Sequence, residues 1–376
     1  MAPVNDSGRL RIVQVVLDLE AGGLERMVAD LIRRLDPDRF ELHLLALRHL
    51  GRYAEGLDAF CTPHLGARTS PLSMLWPRAL ARQLSALQPD IVHTHSGVWY
   101  KVAVASRLAS VPRLIHTDHG RQSPDPFLDR AFDHLASRLT AMAVAVSEPL
   151  ARQLRATVVA RRCPITTIPN GIDTDRFAPG PRSLELSDAL GLAGRPIIGS
   201  LGRFDPIKGY DILLRAFAHV RAGWMDGPSP ALVLAGEGPE ADNLRGLAHE
   251  LGIEADVRFL GWRADPEILY RWFDVFVLGS RSEGTSLSLL ESMSCGTVPV
   301  VTDVGGNRDV LGPELADSLV PSEQPVALGE RLRQALANPS RRRTEGQLAR
   351  RRVRSEFSLD RMVQAYTDLY LDLRPR

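Results

Sequence analysis

The feature that most limits what this chain can become is an alternation, played twice, of short apolar runs with amphipathic helical stretches. In the first half, LRIVQVV (10–16), DIVHTH (90–95), RLIHTD (113–118) and AMAVAVS (141–147) read as buried strands. Helix-like stretches at 24–35, 76–87 and 102–108 lie between them. The second half repeats the design with RPIIGSLGRF (195–204), ALVLAGEG (231–238), DVRFLG (256–261), DVFVLGS (274–280) and VPVVTD (298–303), each followed by a helical pattern. A strand that is apolar on both faces must be covered on both faces, as in a parallel sheet packed between helices. Two such series predict an α/β protein of two Rossmann-like, doubly wound domains. A chain of 376 residues is long enough for two cores of that kind.

Asn170-Gly171 and FAPGP (177–181) punctuate the chain between the two series. The boundary is therefore expected at about 178–190, giving a first domain of 1–178, a second of 179–356 and a last helical segment of 357–376. GWMDGPSP (223–230) reads as a surface loop inside the second domain. Lys and Arg number 46 against 45 Asp and Glu, so the basic excess expected of a nucleic-acid binder is missing. Arginine clusters at 161–162, 341–343 and 350–354 read as solvated helix faces, with a membrane-surface patch as the alternative.

Cys61, Cys163 and Cys295 match neither a disulfide framework nor a zinc spacing, which points to a reducing cytoplasm. The start, MAPVNDSGRL, lacks the apolar core of a signal peptide. No apolar run approaches the ~20 residues that span a bilayer. A cytoplasmic protein is expected, with peripheral contact at the inner face of the membrane if its substrate is lipid-borne.

Ligands of open parallel sheets sit beyond the carboxyl ends of the strands. Here those ends carry His95, His119, Gly202-Arg203, Gly236-Glu237-Gly238 and residues 280–283. In EGTSLSLLE (283–291) a loop runs into a helix near Thr285 or Ser286, with Glu283 before it and Glu291 about two turns in. The free amides and positive dipole end of such a helix accept an anion. A nucleotide-diphosphate-sugar, with hydroxyl-bearing groups on either side of an anionic centre, fits that spacing. So does an ordinary strand–loop–helix with two solvated acids. In SLGRFDPIKGYDILLRAF (200–217), Arg203 can grip phosphate oxygens through two parallel N–H bonds and Lys208 supplies a compact charge.

Gly22-Gly23 in EAGGLER (20–26) would let backbone amides approach a phosphate, and would equally make a plain tight turn. This is not the G-x-G-x-x-G fingerprint, which argues against a nicotinamide dehydrogenase. Among the strand-end histidines, His93, His95 and His116 read as hydrogen-bonded structural groups, and His119, next to Gly120, as a ligand contact. Asp173-Thr174-Asp175 matches a metal-holding D-x-D pattern but lies at the interdomain segment and reads as structural. No other cluster has metal-ligand spacing.

The motifs AGGLERMVADLI, PNGIDTDRFAP, LGRFDPIKGYDILLRAF, LAGEGP, FLGW, SEGTSLSLLESMSCGTVPVVTDVGGNRDV and FSLDRMVQAYTDLY follow one another in this order. In that order they resemble the group 1 glycosyltransferases, family four, of the GT-B fold, over most of the chain. The N-terminal sequence is also similar to sugar transferases of exopolysaccharide assembly. The resemblance implies two facing Rossmann-like domains, an acceptor-side one and a donor-binding one, with the C-terminal helix returning to the first. It implies retaining transfer of a sugar from a nucleotide-diphosphate-sugar, UDP- or GDP-linked foremost, without metal or cofactor. The acceptor would be a hydroxyl of a sugar, a lipid-linked sugar or a small molecule.

By the same resemblance, Glu283 should contact donor sugar hydroxyls, and the backbone of Gly284, Thr285, Ser286 and Leu287 should hold sugar and phosphate. Glu291 should bind the ribose. Arg203, beside Gly202, and Lys208 should hold the diphosphate and stabilise the leaving group. Gly22 and Gly23 should approach it from the first domain. His119, with His116 as second choice, matches the histidine near the sugar. Where the family has Pro-Ser, this chain has Gly279-Ser280. The alternatives are a sugar-nucleotide epimerase or hydrolase of the same fold and a non-catalytic nucleotide-sugar-binding protein.

Overall fold

A computed structural model describes residues 8–20, 22–66, 76–121 and 126–375. The polar start of the chain, residues 1–7, and Ala21 of the first glycine turn lie outside the described residues. The chain forms two compact units, Met1–Gly171 with Leu359–Arg376, and Ile172–Ser358. The division falls at Gly171/Ile172 rather than at 178, because the intervening residues pack with the second unit. Ile172 pairs with Ser358, and the carbonyl of the fully buried Phe177 accepts from Ser294 Oγ at 2.5 Å.

The first unit holds β1 (Leu10–Asp18), β2 (Phe40–His49), β3 (Thr62–Leu65), β4 (Ile91–His95), β5 (Arg113–Asp118), β6 (Met142–Ala145) and β7 (Ile165–Thr167). They form one sheet in the order β3-β2-β1-β4-β5-β6-β7, parallel at every pairing. Its helices are α1 (Gly23–Arg34), α2 (Arg78–Leu87), α3 (Trp99–Leu108), α4 (Phe127–Ser137) and α5 (Glu148–Thr157). β1 and β4 are buried along most of their length, as strands covered on both faces must be. Val13, Val15, Leu45, Val92, Val102 and Leu154 form part of the core between sheet and helices. Ser147 caps α5 by accepting from the Leu150 amide at 3.4 Å, and a proline occupies the helix's first turn.

The second unit runs α6 (Leu184–Ala189), β8 (Ile197–Leu201), α7 (Tyr210–Ala222), β9 (Ala231–Ala235), α8 (Ala241–Glu250), β10 (Val257–Phe259), α9 (Pro266–Trp272), β11 (Val275–Leu278), α10 (Leu287–Ser294), β12 (Val298–Thr302), α11 (Asn307–Leu311), β13 (Leu319–Val320), α12 (Pro325–Ala337) and α13 (Pro339–Glu356). Its parallel sheet has the order β10-β9-β8-β11-β12-β13. Ile198, Phe217, Leu232, Val275, Val300 and Leu332 lie in its core. The last helix, α14 (Leu359–Asp372), belongs to the first unit, where Tyr366 and Tyr370 are buried. Strand order reverses between β1 and β4 in one sheet and between β8 and β11 in the other. At such a switch point the following loops splay apart and leave a crevice beyond the strand ends. Among the described residues, no helix is long and apolar enough to cross a membrane.

Candidate active site

At the switch point of the second unit, the loop after β8 meets the loop after β11. Lys208 ends the short helical turn Pro206–Lys208, and Gly209, left-handed at φ 62°, turns the chain into α7. Lys208 Nζ donates to both carboxylate oxygens of Glu283 at 2.9 Å. Ser280 Oγ donates to Glu283 Oε1 at 2.6 Å. A cation and a carboxylate that the sequence offered as neighbours thus form one ion pair, with the Glu283 side chain well shielded and Lys208 about a third exposed.

The glycine that replaces the family's proline has a local reason. A Cβ on Gly279 would stand 2.7 Å from the Gly209 carbonyl oxygen, and one on Gly209 would overlap the Gly279 carbonyl. The two glycines let the loops close on each other. The Arg281 amide then donates to Ile207 O at 2.8 Å, and its guanidinium holds Asp211 at 2.9 and 2.8 Å. That hydrogen-bonded pairing keeps the Asp211 carboxyl below its usual range.

Helix α10 begins at Leu287 under the cap of Ser286, whose Oγ accepts from the Leu289 amide at 3.4 Å. Glu291 therefore lies little more than one turn into the helix, not two. It is buried, and Tyr270 Oη donates to its Oε2 at 2.8 Å. Gly284, Thr285, Ser286 and Leu287 are buried at the start of this helix. The loop they form is braced from β12: Gly306 N donates to Gly284 O at 3.0 Å, and Gly305, at φ 52°, lies so close that a Cβ there would overlap Glu283 O. Tyr270, Gly305 and Gly306 were not singled out from sequence, although a glycine pair in the loop after a strand was the available signal for the latter two.

Arg203 is not gathered into the ion pair. Its side chain is 66% exposed and bonded to Asp205 two residues on. Gly236 in the next loop makes room for Gly202, the neighbour of Arg203, since a Cβ on Gly236 would overlap the Gly202 carbonyl. Asp173 accepts from the backbone amides of Asp175 and Arg176 at 3.0 Å, a local turn bond. Among the described residues, no group of three or more His, Cys, Asp or Glu could hold a metal ion.

In the first unit, Gly22 precedes α1 and its carbonyl accepts from the Arg26 amide at 3.2 Å; Gly23 opens the helix. The strand-end histidines form a connected polar core. His95 Nδ1 stands 3.1 Å from His119 Nε2, and His95 Nε2 stands 3.0 Å from Gln14 Oε1. Gln14 Nε2 donates to Tyr370 Oη at 2.8 Å, and Tyr370 Oη lies 2.7 Å from His93 Nδ1. His93 Nε2 meets Thr117 Oγ1 at 2.7 Å, and Thr117 Oγ1 meets Tyr366 Oη at 3.1 Å. His116 stacks on Trp99 with ring centroids 3.9 Å apart and bonds Thr94. Burial disfavours the imidazolium, pushing His93 and His119 down to about 3 and His95 and His116 well below the usual value. At neutral pH all four rings are therefore neutral. His119 Nδ1 is shielded from solvent and, among the described residues, has no hydrogen-bond partner.

The model of the "Glycosyl transferases group 1" family matches residues 185–352, and that of "Glycosyltransferase Family 4" matches residues 21–176. EpsF of Bacillus subtilis (strain 168), which carries the name of a glycosyltransferase, is 31% identical over 314 residues, 79% of this chain and 80% of EpsF. The chain belongs to the group 1 glycosyltransferases. It is a nucleotide-sugar-dependent glycosyltransferase of the GT-B fold. The UDP-Gal:alpha-D-GlcNAc-diphosphoundecaprenol alpha-1,3-galactosyltransferase of Escherichia coli is 26% identical over 83% of this glycosyltransferase and 84% of its own length. The crystal structure of HepE from Anabaena with UDP and glucose shares the fold at a TM-score of 0.83, with 21% identity, over 97% of this chain and 100% of that one.

Proposed function

We propose that this glycosyltransferase is a retaining, metal-independent enzyme that takes its sugar from a UDP-sugar. It would deliver the sugar to a hydroxyl of a lipid-linked or polysaccharide acceptor at the cytoplasmic face of the membrane. The observation that carries the reading is the Lys208–Glu283 pair at the switch point, directly before the N-terminus of α10. A diphosphate draws on the ammonium and the first-turn amides, while the carboxylate accepts from sugar hydroxyls. Glu291, anchored by Tyr270, takes the ribose hydroxyls. Arg203, exposed beside Gly202, swings from Asp205 to the phosphates. In the first unit, Gly22 and Gly23 offer backbone amides to an anion at the start of α1, and His119 offers Nδ1 to a substrate hydroxyl. UDP is favoured by the name of the Escherichia coli relative and by the UDP in HepE, and the lipid-linked acceptor by the former.

In the chemical step the bond from C1 of the sugar to the diphosphate oxygen breaks, and the electron pair leaves with the diphosphate. The acceptor oxygen attacks C1 on the same face, and its proton passes to the departing phosphate oxygen. Catalysis is charge stabilisation and positioning. Arg203→Ala and Lys208→Ala should each lower turnover on the order of 10²-fold or more, the scale for loss of one preorganised stabilising group. Wild-type turnover in either variant rejects the assignment. The anomeric proton coupling of the product reads retention directly, and undiminished turnover in excess chelator reads metal independence.

A further inference from the structure

The histidines of the first unit are joined by more than packing. Seven side chains make an unbranched series, Tyr366, Thr117, His93, Tyr370, Gln14, His95 and His119, each within 3.1 Å of the next. Only one member has two chemically distinct ends. The Gln14 amide nitrogen donates to Tyr370 Oη and its oxygen faces His95 Nε2. An amide oxygen accepts and never donates, so His95 carries its hydrogen on Nε2. A neutral His95 then has a lone pair on Nδ1, and His119 must supply the hydrogen of that link from Nε2. In the other direction, Tyr370 accepts from Gln14 and gives its own hydrogen to His93 Nδ1. His93 gives its Nε2 hydrogen to Thr117, and Thr117 gives its hydrogen to Tyr366. Every link agrees with one polarity. Its free end is His119 Nδ1, a lone pair shielded from solvent and without a hydrogen-bond partner among the described residues. A buried polar atom without a partner calls for an explanation, and a hydroxyl brought by a ligand supplies one.

We propose that Gln14 and Tyr370 are positioning residues that fix His119 in its Nε2–H tautomer, so that Nδ1 faces the substrate as a hydrogen-bond acceptor. The proposal rests on the reading above that His119 contacts the substrate. Reversing the Gln14 amide would reverse every hydrogen in the series and turn His119 Nδ1 into a donor. Tyr370 holds the amide by accepting from Gln14 Nε2 while its own hydrogen lies on His93 Nδ1.

The test is nitrogen NMR of histidine-labelled full-length protein, with the His119 signals assigned by their loss in His119→Ala. Wild type should show an unprotonated Nδ1 and a protonated Nε2. Gln14→Leu and Tyr370→Phe should each give a mixture of tautomers, with kcat lower by roughly 5- to 10-fold, the scale of one lost hydrogen bond, and donor KM little changed. A wild-type His119 protonated on Nδ1, or a single Nε2–H tautomer persisting in both Gln14→Leu and Tyr370→Phe, would overturn the proposal. Full turnover in His119→Ala would remove only the substrate-contact reading, and the spectra would still decide who sets the tautomer.

Discussion

Along the central strands of the first unit runs a neutral series of three imidazoles, one amide and three hydroxyls, with the Asp118–Arg121 ion pair at the end of β5 beside it. Beyond the central strands of the second unit the polar groups are ions, Lys208 with Glu283 and Arg281 with Asp211, with one side open to solvent. Both sets occupy the same topological position, where strand order reverses. The neutral set can control only direction, meaning which atom donates and which accepts, because charging any ring in a dry interior is unfavourable. The ionic set can answer a charged ligand by exchanging partners.

Acid separates the two regions most sharply. His93 is lowered to about 3 in the folded unit against 6.5 unfolded, so between those values the unfolded chain binds the extra proton. Its contribution to stability is complete above 6.5 and is lost as pH falls toward 3. Each such imidazole removes up to about 1.4 kcal/mol per pH unit in that window. Asp211 and Asp265 in the second unit are held below 3.8 by arginine hydrogen bonds and release their contribution only under more acidic conditions. Hydrogen exchange at pH 4.5–6 should therefore show β4 and β5 losing protection before β8 and β9. Simultaneous loss would break the contrast.

Substitution at Gly305 comes next. Gly305→Ala adds a Cβ against the Glu283 carbonyl at a backbone angle that alanine resists. It should destabilise the second unit by roughly 2–4 kcal/mol, combining overpacking with left-handed strain. Turnover at a permissive temperature should also fall, because the same loop carries the carboxylate. Calorimetry resolving the two units would show the second melting earlier and the first unchanged; a shift in the first unit alone would contradict the contact. The smallest effect should come from Tyr270→Phe, which leaves Glu291 in place with one fewer donor. Donor affinity should weaken roughly 5-fold with kcat nearly kept, as for lost uniform binding. A loss confined to kcat would take Glu291 out of ribose binding.

Sequence makes part of this molecule readable, and physics explains which part. The apolar runs at β1, β8, β9, β11 and β12 stand out because burial on both faces removes nearly every polar residue, whereas β4 and β5 each carry an apolar pair and then buried histidines and threonines. β3, β7 and β13, with four, three and two residues, are too short to carry a period. Glu283 and Lys208 are readable because charged residues directly after buried strands have few other uses. Tyr270 is not, since in PEILYRW it looks like one more core side chain. Gln14, a lone amide inside LRIVQVVLD, is a signal that can be read in retrospect. Its partner cannot, because Tyr370 lies 356 positions away and only the fold brings them together.

That separation bears on how the chain is made. A ribosome delivers the first unit's strands and helices well before α14, with the whole of the second unit emerging in between. Until then the nascent sheet holds Gln14, His93 and Thr117 with the tyrosine hydroxyls they bond still untranslated. The unit that is synthesised first is thus sealed last, and a chain cut short before Tyr366 would betray itself by an unfinished N-terminal interior, open to proteases and chaperones.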